Sequence, residues 1–261
     1  MTVEIKGKTI IVTGGSKGLG RVFVDTLVER GANVACLARQ SEQLVELQDR
    51  KLDNLMAIAC DISRPDEVDA AVHTCAERFG TLDAVVNNAA LFQPFLIEGC
   101  SPEQVRRHFD INVLGPIWTT RAAIPHLKKS KGQIISISSE SVRNPFPFLS
   151  VYASSKAALE TFSTAMREEL REAGIRITTL RSGAIAGSTA SSNWDPEMGK
   201  AFFDTIVKTG HAAMAGVPAS QESMTDALCA VLSLAPDVNV DLIEVRGAAA
   251  GMVNEHTGSN F

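Results

Sequence analysis

A rhythm constrains this chain more than any single motif. Seven short apolar runs, bounded by Gly, Asp or other turn-forming residues, alternate with stretches in which apolar residues return every three or four positions. The runs are KTIIVT (8–13), NVACLA (33–38), LMAIAC (55–60), LDAVVN (82–87), GQIISIS (132–138), IRITTL (175–180) and VDLIEV (240–245). Several are apolar nearly throughout rather than at every second residue, which is how parallel strands covered on both faces read. Between them the periodicity predicts helices over 18–30, 41–51, 65–79, 102–129, 151–173 and 221–234.

Strand, helix and strand in that order close as right-handed crossover units. The expected architecture is therefore α/β, a Rossmann-like doubly wound parallel sheet of about seven strands with helices on both faces. With 45% hydrophobic residues, the 261-residue chain suffices for one core, so residues 1–261 are read as a single domain. One segment breaks the rhythm. Residues 186–220 carry small residues, a Trp and two weak helical turns, and follow the carboxyl end of the sixth strand. An insertion of that length is expected to be a substrate lid, because ligands of open α/β sheets bind at that end.

Charge and composition exclude several classes. A net charge of -5 offers no electrostatic footprint for nucleic acid or an anionic membrane surface. No apolar run approaches the roughly 18 residues that span a bilayer. The N-terminal MTVEIKGKTIIVTGG interleaves charges with its apolar residues, unlike a secretory signal, so a cytoplasmic protein is expected. Cys36, Cys60, Cys75, Cys100 and Cys229 are scattered singly and read as free, mostly buried thiols. Neither they nor the five histidines have metal-ligand spacing, and no metal is expected.

TGGSKGLG (13–20) follows the first strand and opens the first helix. Glycines there permit a tight turn and let backbone N–H groups approach a pyrophosphate at the positive end of a helix dipole. The spacing is GxxxGxG through Gly14, Gly18 and Gly20, with Ser16, Lys17 and Leu19 in the same turn. A chain built for NAD usually ends its second strand with an acidic side chain for the ribose 2′-hydroxyl. Here Ala38 stands at that point and Arg39 follows; Arg39 and Lys17 suit a 2′-phosphate instead, which favours NADP(H). Two solvated surface cations are the plainer alternative.

Taken with NNAA (87–90), IN (111–112), ISS (137–139) and YASSK (152–156), the glycine turn makes the chain resemble the short-chain dehydrogenase/reductase family in its non-extended branch. The motifs run in the family's order over nearly the whole length. The resemblance implies that Tyr152 is the proton donor to a carbonyl, or the base toward an alcohol, and that Lys156 is its electrostatic partner and holds the nicotinamide ribose. Ser139 would bond the substrate oxygen, ahead of its neighbour Ser138, and Asn112 would hold a water for proton relay. Asp61 and Ile62 would meet the adenine, Asn88 and Ala89 the adenosine ribose, and Ile185 the cofactor after the sixth strand. Alone, Asp61 reads as a cap on the next turn and Asn112 as a helix-interior side chain bonded to a backbone carbonyl.

Tyr152 and Lys156 are one helical turn apart and share a face. Lowering a phenol from about 10 to about 7 takes roughly 4 kcal/mol, which an ammonium about 4 Å away supplies at an effective dielectric near 20. The expectation is thus that Lys156 draws Tyr152 down. RSGAIAGST (181–189) departs from the family's Pro-Gly and threonine pattern, with Ser182 for the proline and Gly187 for the threonine; Ser188 or Thr189 is left to meet the carboxamide.

The resemblance implies an NADP(H)-dependent oxidoreductase interconverting a carbonyl, of ketone or 3-oxoacyl type, and a secondary alcohol. A catalytically silent nucleotide-sensing or scaffold relative is the alternative, although such a relative would be expected to lose Tyr152 or Lys156. Phe146, Phe148, Trp194, Phe202, Phe203 and Met214 suggest a small-molecule substrate with an apolar body, or else packing of the lid on the core. Glu140 and Arg143 would meet a polar group or face water. A homodimer or homotetramer is implied by the family alone, and the tail MVNEHTGSNF (252–261) has no assignable role.

Overall fold

A computed structural model of the chain describes residues 4–248. The tail at 252–261 lies outside these residues, as do positions 249–251 of the VRGAAAG ending.

All seven strands form, in one parallel sheet: β1 (Thr9–Thr13), β2 (Asn33–Ala38), β3 (Leu55–Ala59), β4 (Ala84–Asn87), β5 (Gln133–Ser139), β6 (Arg176–Ser182) and β7 (Leu242–Val245). Their order in space is β3-β2-β1-β4-β5-β6-β7. The chain winds outward from β1 to β3, returns to β4 beside β1, and winds the other way. Between β1 and β4 lies the switch point where ligands bind in such sheets. The helices are α1 (Gly18–Glu29), α2 (Glu42–Asp49), α3 (Pro65–Phe79), α4 (Pro102–Phe109), α5 (Gly115–Ser130), α6 (Ser150–Glu169), α7 (Pro196–Lys208), α8 (His211–Ala215) and α9 (Gln221–Leu232).

Alternation along the buried strands divides the core in two. Ile10, Val12, Val34, Cys36, Val86, Ile135 and Ile137 pack with Phe23 and Leu27 of α1 and Met224 and Leu228 of α9. Ile11, Ala35, Leu37, Val85, Ile134 and Ile177 pack with Val68 and Val72 of α3, Leu127 of α5 and Met166 of α6. The central strands are apolar on both faces because both are covered; edge strand β7 has half-buried and exposed positions. All five cysteines are free, and burial pushes the Cys36, Cys60 and Cys75 thiols up to about 12, so they act as small apolar groups. Among the described residues, no helix is long and apolar enough to cross a membrane.

Two helical expectations need correction. Residues 102–129 are not one helix: α4 and α5 are separated by a π-helical turn at Asp110–Leu114, in which the Gly115 N–H bonds the Asp110 carbonyl five residues back. Pro116 has no N–H to return to Asn112, so the ordinary helical bond is missing and the wider turn takes its place. The second correction concerns 186–220, where α7 is a full 13-residue helix rather than a weak turn. Its start is set by the Asp195 carboxylate, which accepts from the Met198 N–H, and by Pro196 in the first turn.

Candidate active site

The carboxyl ends of β1, β2, β4, β5 and β6 open on one cleft of about 1330 Å³. Gly14, Ser16, Lys17, Gly18, Leu19, Gly20, Arg39, Asp61, Ile62, Asn88, Ala89, Ser139, Tyr152, Lys156 and Ile185 all line it. Of the catalytic and cofactor residues picked from the sequence, Asn112 stands behind the wall; of the residues picked for the substrate pocket, Phe148, Met214 and Arg143 do not line it.

At one end lies the glycine turn. Gly14 has φ +65°, and a Cβ there would meet the Ala89 Cα at 2.8 Å, so only glycine lets the two loops approach. The approach is tied by Thr13, whose Oγ1 accepts from the Asn88 and Ala89 N–H groups at 3.0 Å each. The Asn88 side chain returns a bond to the Thr13 carbonyl at 2.9 Å. α1 has no side-chain cap and no acidic residue in its first turn, a state it shares with α5, α6 and α8, but unlike them it directly follows the glycine turn after β1. Its first N–H groups are left for an anion, which fits a pyrophosphate at this helix end. Lys17 and Arg39 are exposed on the cleft rim, and among the described residues neither makes an ion pair.

Asp61 is partly engaged already: Oδ1 accepts from the Ser63 N–H at 3.0 Å and from its hydroxyl at 2.7 Å, the capping arrangement expected of a strand-end Asp. In the unusual RSGAIAGST segment, the Ser182 hydroxyl bonds the Gly183 carbonyl and the Ser188 hydroxyl accepts from the Ala190 N–H. Thr189 Oγ1 sits 2.8 Å from where a Gly18 Cβ would project, beside the glycine turn.

At the other end β5 and α6 bring Ser139, Tyr152 and Lys156 together. Ser136 and Ser138 face α6, bonding Ser163 at 3.0 Å and Glu160 at 2.6 Å; Ser139 alternates toward the cleft. Ser139 Oγ accepts from the Ser141 N–H at 3.2 Å, which fixes its rotamer at the head of a short turn. Tyr152 is 9% exposed, and burial pushes its phenol up to about 12 against the smaller opposing effect of the Ser139 hydroxyl. Lys156 is 2% exposed, donates to the Ile137 carbonyl at 2.8 Å, and is pulled by burial down to about 8. The phenol therefore moves opposite to the sequence expectation. Both groups lose hydration, and the ammonium lies 6.0 Å from the phenol ring centroid while bonded to a carbonyl.

Asn112 sits in the π-helical turn, wholly buried. Its oxygen accepts from the Leu91 N–H at 2.7 Å, and its nitrogen donates to the Leu91 carbonyl and to Ser155 Oγ, both at 2.9 Å. It clamps the loop after β4 to α6, so the backbone-satisfying alternative describes the bonds it makes.

Sequence reasoning missed Phe92, whose ring meets that of Tyr152 edge-on at 4.8 Å and that of Trp194 at 5.0 Å. Trp194 Nε1 donates to the Phe92 carbonyl at 2.7 Å, joining the 186–220 segment to the loop after β4. Phe202 is buried against Trp194 and Phe148, while Phe203 stays 52% exposed; the aromatics both pack the segment and line the cleft. Glu140 is buried beside Arg246 at 3.1 Å, whereas Arg143 is exposed to water and pairs at its tip with Glu244 at 2.9 Å.

Comparison with known proteins gives a consistent pattern. The family model described as short chain dehydrogenase matches residues 8–198. An 11-beta-hydroxysteroid dehydrogenase-like protein of Arabidopsis thaliana is 33% identical over 221 residues, 82% of this chain and 71% of that one. A 3-ketoacyl-(acyl-carrier-protein) reductase from Brucella melitensis, solved with NADH, superposes with a TM-score of 0.79 at 25% identity, covering 92% of this chain and 97% of its own. The closed form of a serine dehydrogenase complexed with NADP+ gives 0.78 at 25% identity, covering 94% and 98%.

Proposed function

Because the chain belongs to the short-chain dehydrogenase family, we propose that it is an NADP(H)-dependent oxidoreductase interconverting a ketone or 3-oxoacyl carbonyl and a secondary alcohol. The observation that carries this reading is the convergence of Ser139, Tyr152 and Lys156 on the cleft that also holds the glycine turn. A nicotinamide cofactor bound along that cleft supplies the hydride chemistry. Lys17 and Arg39 meet the 2′-phosphate; the first turn of α1 with Gly14 to Gly20 holds the pyrophosphate, and Asp61, Ile62, Asn88 and Ala89 flank the adenosine. Ile185 and Thr189 close over it.

In the reductive direction the Ser139 hydroxyl and the Tyr152 phenol donate to the substrate oxygen as negative charge builds there. A phenol raised to about 12 is protonated at neutral pH but is a weak acid, so giving up its proton depends on a nearby positive charge that stabilises the phenolate. Lys156 keeps a positive charge beside the developing phenolate and bonds the ribose, and Asn112 holds the loop after β4 in register with α6. Phe92, Trp194 and Phe202 form an aromatic wall for an apolar substrate body, with 186–220 acting as a lid and the whole chain as one domain. Assembly as a homodimer or homotetramer completes the proposal. A panel of ketones, 3-oxoacyl thioesters and secondary alcohols, followed at the reduced nicotinamide band with NADPH and NADH in parallel, tests it. Turnover faster with the phosphorylated cofactor is expected; no turnover with any member overturns the reading.

A further inference from the structure

Resting on the reading of Lys156 as the cation of the active site, we propose that Glu160 is a positioning residue that holds the positive charge on Lys156, and that Ser138 and Arg181 fix it for that role. Glu160 lies one turn beyond Lys156 on α6, on the same helical face. Its Oε1 accepts from Ser138 Oγ at 2.6 Å and from Arg181 Nε at 3.0 Å, and its Oε2 accepts from Arg181 Nη2 at 2.7 Å. The Glu160 and Arg181 side chains are 14% and 13% exposed, so this two-pronged pair is largely shielded from solvent. Ser138, Arg181 and Glu244 are neighbours in register across β5, β6 and β7, and Arg181 also bonds Glu244 at 3.0 Å.

Burying such a row is weak evidence for stability, since shielded ion pairs are often replaced by apolar side chains without loss. Its position suggests another purpose. α6 grips three successive residues of β5: Lys156 bonds the Ile137 carbonyl, Glu160 bonds Ser138, and Tyr152 stands beside Ser139. The groups facing Lys156 can be named element by element. α6 contributes Tyr152 and Glu160, β5 the Ile137 carbonyl, the π-helical turn the uncharged Asn112 through Ser155, and β6 Arg181 behind Glu160. Glu160 is bonded to Ser138 and Arg181 and makes no ion pair with Lys156 among the described residues. One turn away on the same face, its charge acts across space against the burial that pulls the ammonium toward about 8. An ammonium is lost as pH rises through its pKa. Removing Glu160 therefore shrinks the range in which Lys156 is charged, and freeing Glu160 from Arg181 widens it.

Proton-detected NMR of full-length protein labelled at lysine Cε reads this directly, without cofactor or turnover, with the Lys156 signal identified by its loss in Lys156→Arg. Glu160→Gln is expected to lower the Lys156 midpoint by about one pH unit, a tenfold loss of proton affinity. Arg181→Gln is expected to raise it, and Ser138→Ala to leave it within a few tenths of a unit. Opposite shifts from the two charge variants are something a purely structural role does not produce. An unmoved midpoint in Glu160→Gln, or shifts of one sign in both, overturns the proposal. Should Glu160→Gln fail to fold, an unmoved or lowered midpoint in Arg181→Gln overturns it alone. The functional reading fails separately, through normal turnover by a Tyr152 variant, whatever Lys156 titrates at.

Discussion

Replacing Arg39 by alanine removes an exposed cation of the cleft rim that, among the described residues, has no ion pair, and isolates what it contributes to cofactor choice. A hydrogen bond to a charged group contributes about 1.5–3 kcal/mol. Arg39 is exposed, so solvent screening places its contact with a 2′-phosphate at the low end, about 1.5 kcal/mol, or close to tenfold in affinity. NADH carries a hydroxyl at that position, and its binding should change less than about twofold. The assay is a fluorescence titration of each reduced cofactor against wild type and Arg39→Ala, at low and at high salt. The Debye length falls from about 10 Å at 0.1 M to about 3 Å at 1 M, so the proposed preference for NADPH should shrink as salt rises. Lys17→Ala should behave alike, and the double variant should lose about a hundredfold if the two cations act independently. Equal loss for both cofactors, or no loss for either, refutes the assignment of these side chains to a phosphate.

Two further expectations concern the turn and the lysine. Gly14→Ala forces a side chain into left-handed backbone and against the Ala89 Cα, so unfolding free energy should fall by at least about 1–3 kcal/mol in denaturant melts, with cofactor affinity falling too. In carbonyl reduction, kcat/KM should be level below pH 8 and fall above it, because Lys156 gives up its proton near 8 while the Tyr152 phenol, near 12, stays protonated. The limb should vanish in Lys156→Arg if that variant is active, since guanidinium stays charged; a limb above pH 10 in the wild type contradicts the account.

Strand runs were legible because they are buried on both faces, which leaves little room for polar residues: the NVACLA run (33–38) coincides with β2, and the others differ at their ends by at most two residues. The glycine turn was legible because close backbone approach admits no other residue at Gly14. Less visible was anything set by tertiary contact. The π-helical turn at Asp110–Leu114 lies within an unbroken helical period, and only Gly115-Pro116 marks it, through a missing N–H. Phe92 could not be read because nothing local distinguishes a ring that meets Tyr152 from one that packs a loop. The Glu160–Arg181–Glu244 row escaped because its members are 21 and 63 residues apart in sequence, although an arginine inside an otherwise buried strand was a signal. The direction of the Tyr152 shift was misjudged because a sequence supplies the distance between two charges but not their loss of water.

In the proposed reaction Tyr152 moves the proton while other residues hold the cofactor. Tyr152→Phe removes one oxygen from a buried ring and leaves Lys156, Ser139 and the glycine turn in place. Single-turnover reduction by this variant with prebound NADPH, alongside a titration of NADPH binding, separates the two roles. Unchanged cofactor affinity is expected, with the hydride step slowed at least a hundredfold. A rate within a few-fold of wild type, at equal cofactor occupancy, contradicts this role of Tyr152.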